Sequence, residues 1–261
     1  MTSQSDQPAP RRPRVGLFAT CLVDLFRPSV GFASARLIEN AGCEVVVPLA
    51  QTCCGQPAYN SGDKADTREI ARQVIELFEE FDYVVAPSGS CAAMLKKHYP
   101  DLFKGDGPWE ERARLFSDKV FELVSFLTDV MFVPAVTARH NGSVTYHDSC
   151  SGLRELGIQK QPRRLLATVE GLELREMEGS DICCGFGGTF CVKYSDISNA
   201  IVSKKTAKID ASGADLLLAG DMGCLMNMAG KLRREGSSVE VRHVAEVLAG
   251  MTDRPPIAGS K

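Results

Sequence analysis

Apolar positions along the chain fall into two alternating kinds of run. Val15-Gly16-Leu17-Phe18-Ala19 is short, apolar and rich in β-formers, and predicts a buried strand ending at Thr20-Cys21. From Pro28 to Asn40, Val30, Ala33, Leu37 and Ile38 recur at helical spacing, and Ala41-Gly42 supplies the stop. Glu44 to Pro48 predicts a second strand and Tyr83 to Ala86 a third. Between them Asp63 caps a long helix reaching about Phe81, with Ile70, Val74, Leu77 and Phe78 on one face. A helix is expected from about Cys91, a Gly/Pro loop over Phe103 to Glu110, and a helix or a strand plus helix over Lys119 to Asp129.

The same order then repeats. Ser143 to His147, Leu172 to Met177 and Ala214 to Ala219 predict strands. Pro162 to Val169, Asp196 to Asp210 and Leu225 to Arg234 predict helices, and His243 to Ala249 echoes Glu122 to Thr128. Strand–helix alternation of this kind predicts an α/β protein of two duplicated halves with mainly parallel sheets. The expected organisation is a disordered leader over 1–14, a first domain over 15–133, a linker over 134–142, a second domain over 143–250 and a tail over 251–261.

A hydrophobic fraction of 44% fills a core in each half. The formal net charge is −3 with no block of like charge, which argues against a nucleic-acid partner. The polar leader lacks the apolar run of a secretory signal, and no stretch approaches the roughly 18 apolar residues of a membrane span. The reading is a cytoplasmic chain without a membrane span. Ten cysteines in a reducing compartment do not form a disulfide framework, so metal binding is the better use of them.

Eight of those cysteines form two matched sets. Cys53-Cys54-Gly55 recurs as Cys183-Cys184-Gly185, 130 residues later. Upstream stand Cys21 and Cys150, with 31 and 32 residues intervening; downstream stand Cys91 and Cys224, with 36 and 39. Each single cysteine lies just past a predicted strand and each doublet in a loop after one, so all four of a set face the carboxyl edge of their sheet, where α/β sites form. Structural zinc, held by four ligands and usually from short C-x₂₋₄-C knuckles, is one occupant. A Cys-Cys doublet with distant partners better suits a larger object, an iron–sulfur cluster. Gly55 and Gly185 let the backbone pass close to it.

Several segments carry a family resemblance: Cys53 to Gly62 (CCGQPAYNSG), Pro87 to Cys91 (PSGSC), His147 to Cys150 (HDSC) and Cys183 to Phe190 (CCGFGGTF). On these the chain resembles the cysteine-rich CCG-domain iron–sulfur proteins from about Val15 to Gly250, closest to the A subunits of lactate-utilisation systems. It is more distantly similar to the B subunit of heterodisulfide reductase. The resemblance implies a role in L-lactate oxidation to pyruvate, as an electron-transfer subunit of a multi-protein iron–sulfur dehydrogenase. Other iron–sulfur subunits would be its partners, and a small organic acid would be the substrate of the complex. It implies Cys21, Cys53, Cys54, Cys91, Cys150, Cys183, Cys184 and Cys224 as ligands of one or two clusters, with zinc possible in one half. In the distant relatives the motif ends Cys-x-x-Cys, and five cysteines hold a non-cubane cluster. Here Ser88 and Asp221 replace the first cysteine of that pair, so four thiolates and an ordinary [4Fe–4S] cluster are the expectation, with Ser88 or Asp221 as an oxygen ligand. A zinc-stabilised structural or scaffolding subunit is the alternative, and a thiol–disulfide enzyme is disfavoured because the chain has no C-x-x-C.

His147 and Asp148 precede Cys150 and suit either a supporting shell around a cluster or a strand-end histidine tied to a carbonyl. Tyr59-Asn60 suits either the site or a turn. Arg154 is a carboxylate binder or a solvated helix arginine, Cys43 a core thiol, and Cys191 an auxiliary ligand without a counterpart in the first half. Gly185 to Gly188 lacks the spacing of a nucleotide loop.

Overall fold

The computed structural model describes residues 11–259. Residues 1–10 of the expected leader and 260–261 of the tail lie outside them. Two four-stranded, wholly parallel sheets form. The first contains β1 (Arg14–Leu17), β2 (Glu44–Val46), β3 (Tyr83–Ala86) and β4 (Val120–Glu122) in the order β2-β1-β3-β4. The second contains β5 (Arg139–His147), β6 (Glu170–Leu174), β7 (Leu216–Ala219) and β8 (Glu240–His243) in the same order, β6-β5-β7-β8. The duplication is thus one of topology as well as of cysteine spacing.

The helices follow the apolar stripes. Pro28–Asn40 buries Val30, Ala33, Leu37 and Ile38. Lys64–Phe78 starts where the Asp63 side chain accepts the Asp66 N–H at 3.1 Å. Two segments depart from expectation. Pro108–Asp118 is a helix where the Gly/Pro content of Phe103 to Glu110 predicts a loop; Pro108 opens it, a position where no amide is needed. Residues 139–142 of the expected linker belong to β5, whose pairing with β6 shifts register between Arg139 and Gly142. Their polarity hides a strand that runs beyond the buried part of its sheet.

The halves pack by exchange. Helix Pro28–Asn40 of the first half lies against Val244–Leu248 of the second, and Lys160–Leu166 of the second lies against Leu123–Ser125 of the first. One core runs through both sheets, from Val15, Leu17 and Val85 to Val144, Leu217 and Val247. Gly89 and Gly152 let the Cys91 and Cys150 helices touch: a methyl on Gly89 would stand 3.0 Å from the Gly152 Cα. Past the second half the chain returns to the fold, with the Ile257 amide donating to the Val241 carbonyl at 2.8 Å.

Candidate metal centres

All ten cysteines are free thiols. Cys21 opens helix Cys21–Phe26 and Cys150 opens helix Cys150–Arg154, just beyond β1 and β5. Cys91 and Cys224 lie in the first turn of the helices Gly89–Ala93 and Met222–Glu235, just beyond β3 and β7. The doublets sit in the loops before Gln56–Asn60 and Phe190–Lys193. Gly55 and Gly185 adopt φ of 81° and 82°, the left-handed turn that presents the doublet. A methyl on Gly185 would meet the Ser198 carbonyl oxygen at 2.8 Å, whereas on Gly55 it would meet only the side chains of Ile70 and Thr67, at 3.4 and 3.5 Å.

The structure brings each set together. In the first, Cys21 Sγ lies 3.9 Å from Cys53 Sγ and Cys54 Sγ 3.6 Å from Cys91 Sγ. All four open on one cavity of about 280 Å³, whose far wall is Phe186, Val192 and Met222 of the other half. In the second, Cys150 adjoins Cys183, and Cys184 adjoins both Cys183 and Cys224. Sulfur packed on sulfur makes the thiols unequal. Cys53 and Cys183 are driven far down because they accept hydrogen bonds, first from Cys21 and Cys150 respectively and then from the next cysteine of the doublet. The donors Cys21 and Cys150 are pushed up. Thiolate-ready sulfurs crowded in this way are a metal-binding donor set.

The doublets are braced from outside. Tyr99 donates to the Cys54 carbonyl at 3.0 Å and Asn227 Nδ2 to the Cys184 carbonyl at 2.8 Å. Neither residue is signalled by the cysteine pattern.

Ser88 and Asp221 meet each other across the halves. Each caps its helix: Ser88 Oγ accepts from the Cys91 amide at 3.2 Å, and Asp221 Oδ1 accepts from Gly223 and Cys224 at 3.1 and 3.4 Å. The Ser88 hydroxyl then donates to Asp221 Oδ2 at 3.0 Å, as does the Ser90 amide. Two more caps stand behind them. Glu122 accepts the amides of Val124 and Ser125 and is pushed up to about 8 by burial. His243 accepts the Ala245 amide, donates to the Pro87 carbonyl at 3.2 Å, and is pushed down to about 4 by burial.

The walls of the two sets differ. His147, three residues before Cys150, is buried; Nδ1 donates to the Ser180 carbonyl at 3.2 Å, while Nε2 is enclosed with no partner. Nε2, Cys184 Sγ and Cys224 Sγ all lie within 4.8 Å of one another. Burial pushes His147 down to about 3, so the ring is neutral. Asp148 is held by Arg163 in a bidentate pair at 2.8 and 3.0 Å. Lys205, fully buried, donates to the carbonyls of Gly179 and Ser180 and is lowered to about 8 by burial, against the pull of Cys184. Neither Arg163 nor Lys205 is signalled by the cysteine pattern, and the burial of Lys205 appears only in the fold.

Tyr59 packs against His98 in a tilted pair with ring centroids 4.9 Å apart, and Asn60 ends helix Gln56–Asn60. Arg154 is exposed. Cys43 is a core thiol 3.8 Å from the Met131 sulfur. Cys191 donates to the Gly188 carbonyl.

Known proteins resemble this chain. The cysteine-rich domain family matches residues 15–96 and 144–229. Lactate utilization protein A of Geobacillus sp. (strain WCH70) is 49% identical over 235 residues, covering 90% of this chain and 98% of that protein. Lactate utilization protein A of Bacillus subtilis (strain 168) is 46% identical over the same shares. A crystal structure of a hypothetical protein from Helicobacter pylori superposes with a TM-score of 0.65 at 10% identity, covering 94% of this chain. The chain spans half the length of that protein, and the likeness is one of fold. With both cysteine sets inside the matched segments, the chain belongs to the cysteine-rich CCG domain family, among the lactate utilization A proteins.

Proposed function

We propose that this chain is the iron–sulfur electron-transfer subunit of a cytoplasmic, multi-protein system that oxidises L-lactate to pyruvate. The carrying observation is that the four first-set thiols open on one cavity of about 280 Å³. Cys21, Cys53, Cys54 and Cys91 would hold the cluster there, and Cys150, Cys183, Cys184 and Cys224 would hold a second metal centre. When bound, such a cluster accepts and returns one electron at a time.

The chain's own residues set the surroundings. The cavity wall is apolar and the Cys54 backbone is pinned by Tyr99, which excludes water and fixes the doublet. Among the described residues no Arg, Lys or His lines the cavity, and Asp221 is the one charged residue that does. A lactate carboxylate has no counter-ion there, which favours electron transfer over substrate binding on this subunit. Beside Cys21 and Cys53, Leu25, Val47 and Leu49 are exposed and offer an apolar contact to a partner subunit. Among the described residues no helix is long and apolar enough to cross a membrane.

The test is a potentiometric titration of protein purified without oxygen, followed by EPR. The expected result is a reversible one-electron signal that the isolated chain does not develop with lactate alone. A protein with metal but no reducible centre would replace this reading by the structural one.

A further inference from the structure

We propose that His147 binds metal directly through Nε2. The second cysteine set is then an imidazole–thiolate site for a single four-coordinate divalent ion of the zinc class, while the first set is all-thiolate. The inference rests on the reading that the cysteines hold metal, and adds a ligand and a division of labour between the halves.

Three observations carry it. The first is the orphan atom. Buried polar atoms are almost always paired, yet Nε2 has no partner while Nδ1 is tied to the Ser180 carbonyl. That tie fixes the proton on Nδ1 and leaves the Nε2 lone pair free, the way ligating histidines are commonly oriented. The second is the spacing. Nε2 and the sulfurs of Cys184 and Cys224 close to within 4.8 Å of one another, and they are the one such set of three among the described residues. Around one zinc ion, sulfur at about 2.3 Å and nitrogen at about 2.0 Å place ligand atoms about 3.5–3.8 Å apart. The first-set sulfurs close only in pairs, at 3.9 and 3.6 Å, and form no such trio. Cys183, beside Cys184, or Cys150 beyond it supplies the fourth position.

The third is the other half. Phe18 stands three residues before Cys21, as His147 does before Cys150, and its amide bonds to β3 as the strand's next rung. There the matching side chain is a buried phenylalanine packed on Phe78, which can ligate nothing. Charge agrees. Three thiolates, a neutral imidazole and a divalent ion sum to one negative charge, and the buried Lys205 ammonium lies alongside Cys184 and Cys224 to balance it.

Zinc-edge X-ray absorption on the intact wild-type protein reads the ligand shell directly, because iron in the first half is invisible at that edge. The expected spectrum is about one zinc per chain with three sulfurs and one nitrogen. His147→Gln, checked for fold by circular dichroism, is expected to lose the nitrogen and release zinc to a chelator at least about tenfold faster. His147→Phe, which installs the first half's residue, should do the same. An all-sulfur zinc shell, or unchanged zinc release in a folded variant, overturns the proposal. So does metal confined to the first set, which leaves the cysteine reading standing. A preparation with no metal in either set overturns both.

Discussion

The two halves hold the same sulfur pattern in opposite surroundings. The first set is backed by Phe18 and Ala19; at the matching places before Cys150 stand His147 and Asp148. The buried positions of the long helices align in the same way. Thr67, Ala71, Val74, Ile75 and Phe78 match Ser198, Val202, Lys205, Thr206 and Ile209, so Lys205 takes the place of Val74. One centre is walled by apolar side chains and the other by an imidazole, a bidentate ion pair and an ammonium. The duplication preserved the strand ends and the doublet turn and let the walls diverge. On the proposed metal reading, sulfur spacing sets where a metal would go, and the side chains behind it would set its charge balance and ligand shell.

The comparison breaks most sharply at the doublets. Cys53→Ser/Cys54→Ser is expected to remove essentially all iron and sulfide and leave zinc, and Cys183→Ser/Cys184→Ser the reverse. Each loss should cost on the order of several kcal/mol of stability, read by metal analysis and denaturant unfolding. Loss of both metals from either variant would mean one shared centre.

Next is the ion pair found in one half. Arg163→Met leaves the Asp148 carboxylate buried without its partner and should cost about 3–5 kcal/mol in urea unfolding. The first half has alanine at Asp148's place and no equivalent sensitivity.

The capping residues Glu122 and His243 occupy matching positions and should give opposite pH trends. Glu122 is raised from 4.5 to about 8, so the folded chain holds its proton more tightly than the unfolded one. That stabilisation is full below pH 4.5 and is lost as pH rises to about 8. His243 is lowered from 6.5 to about 4, so its contribution is full above pH 6.5 and is lost as pH falls toward 4. Glu122→Gln should flatten the decline between pH 4.5 and about 8 by about 2–4 kcal/mol, and His243→Gln should reduce the acid one. Unfolding curves across pH 4 to 9 compare them; parallel slopes in wild type and Glu122→Gln would contradict the assignment.

The smallest effects separate the two turns. Gly55→Ala should cost about 1 kcal/mol for its left-handed backbone, and Gly185→Ala about 2–3 because its methyl also meets the Ser198 carbonyl. Thermal melts of the two variants, run in parallel, give the order.

What the sequence made legible is what local pattern encodes. The stripe of helix Pro28–Asn40, the cap at Asp63 and the doublet glycines are each written within a few residues. The two sulfur sets were legible because duplication printed them twice. What was hidden depends on docking. Ser88 and Asp221 are 133 residues apart and meet because the halves do. Lys205 reads as a surface lysine of helix Ser195–Ala211 until its face is seen to lie under the Ser180 loop. His147 showed its proximity to Cys150 in sequence, but its orphaned Nε2 appears only when Ser180 claims the other nitrogen.

Iron, acid-labile sulfide and zinc per chain, measured together on wild-type protein kept free of oxygen, bear on all of this most directly. The expected result is iron with matching sulfide from the first set and about one zinc from the second. A folded protein that carries neither iron nor sulfide, with all eight thiols open to alkylation, would contradict it.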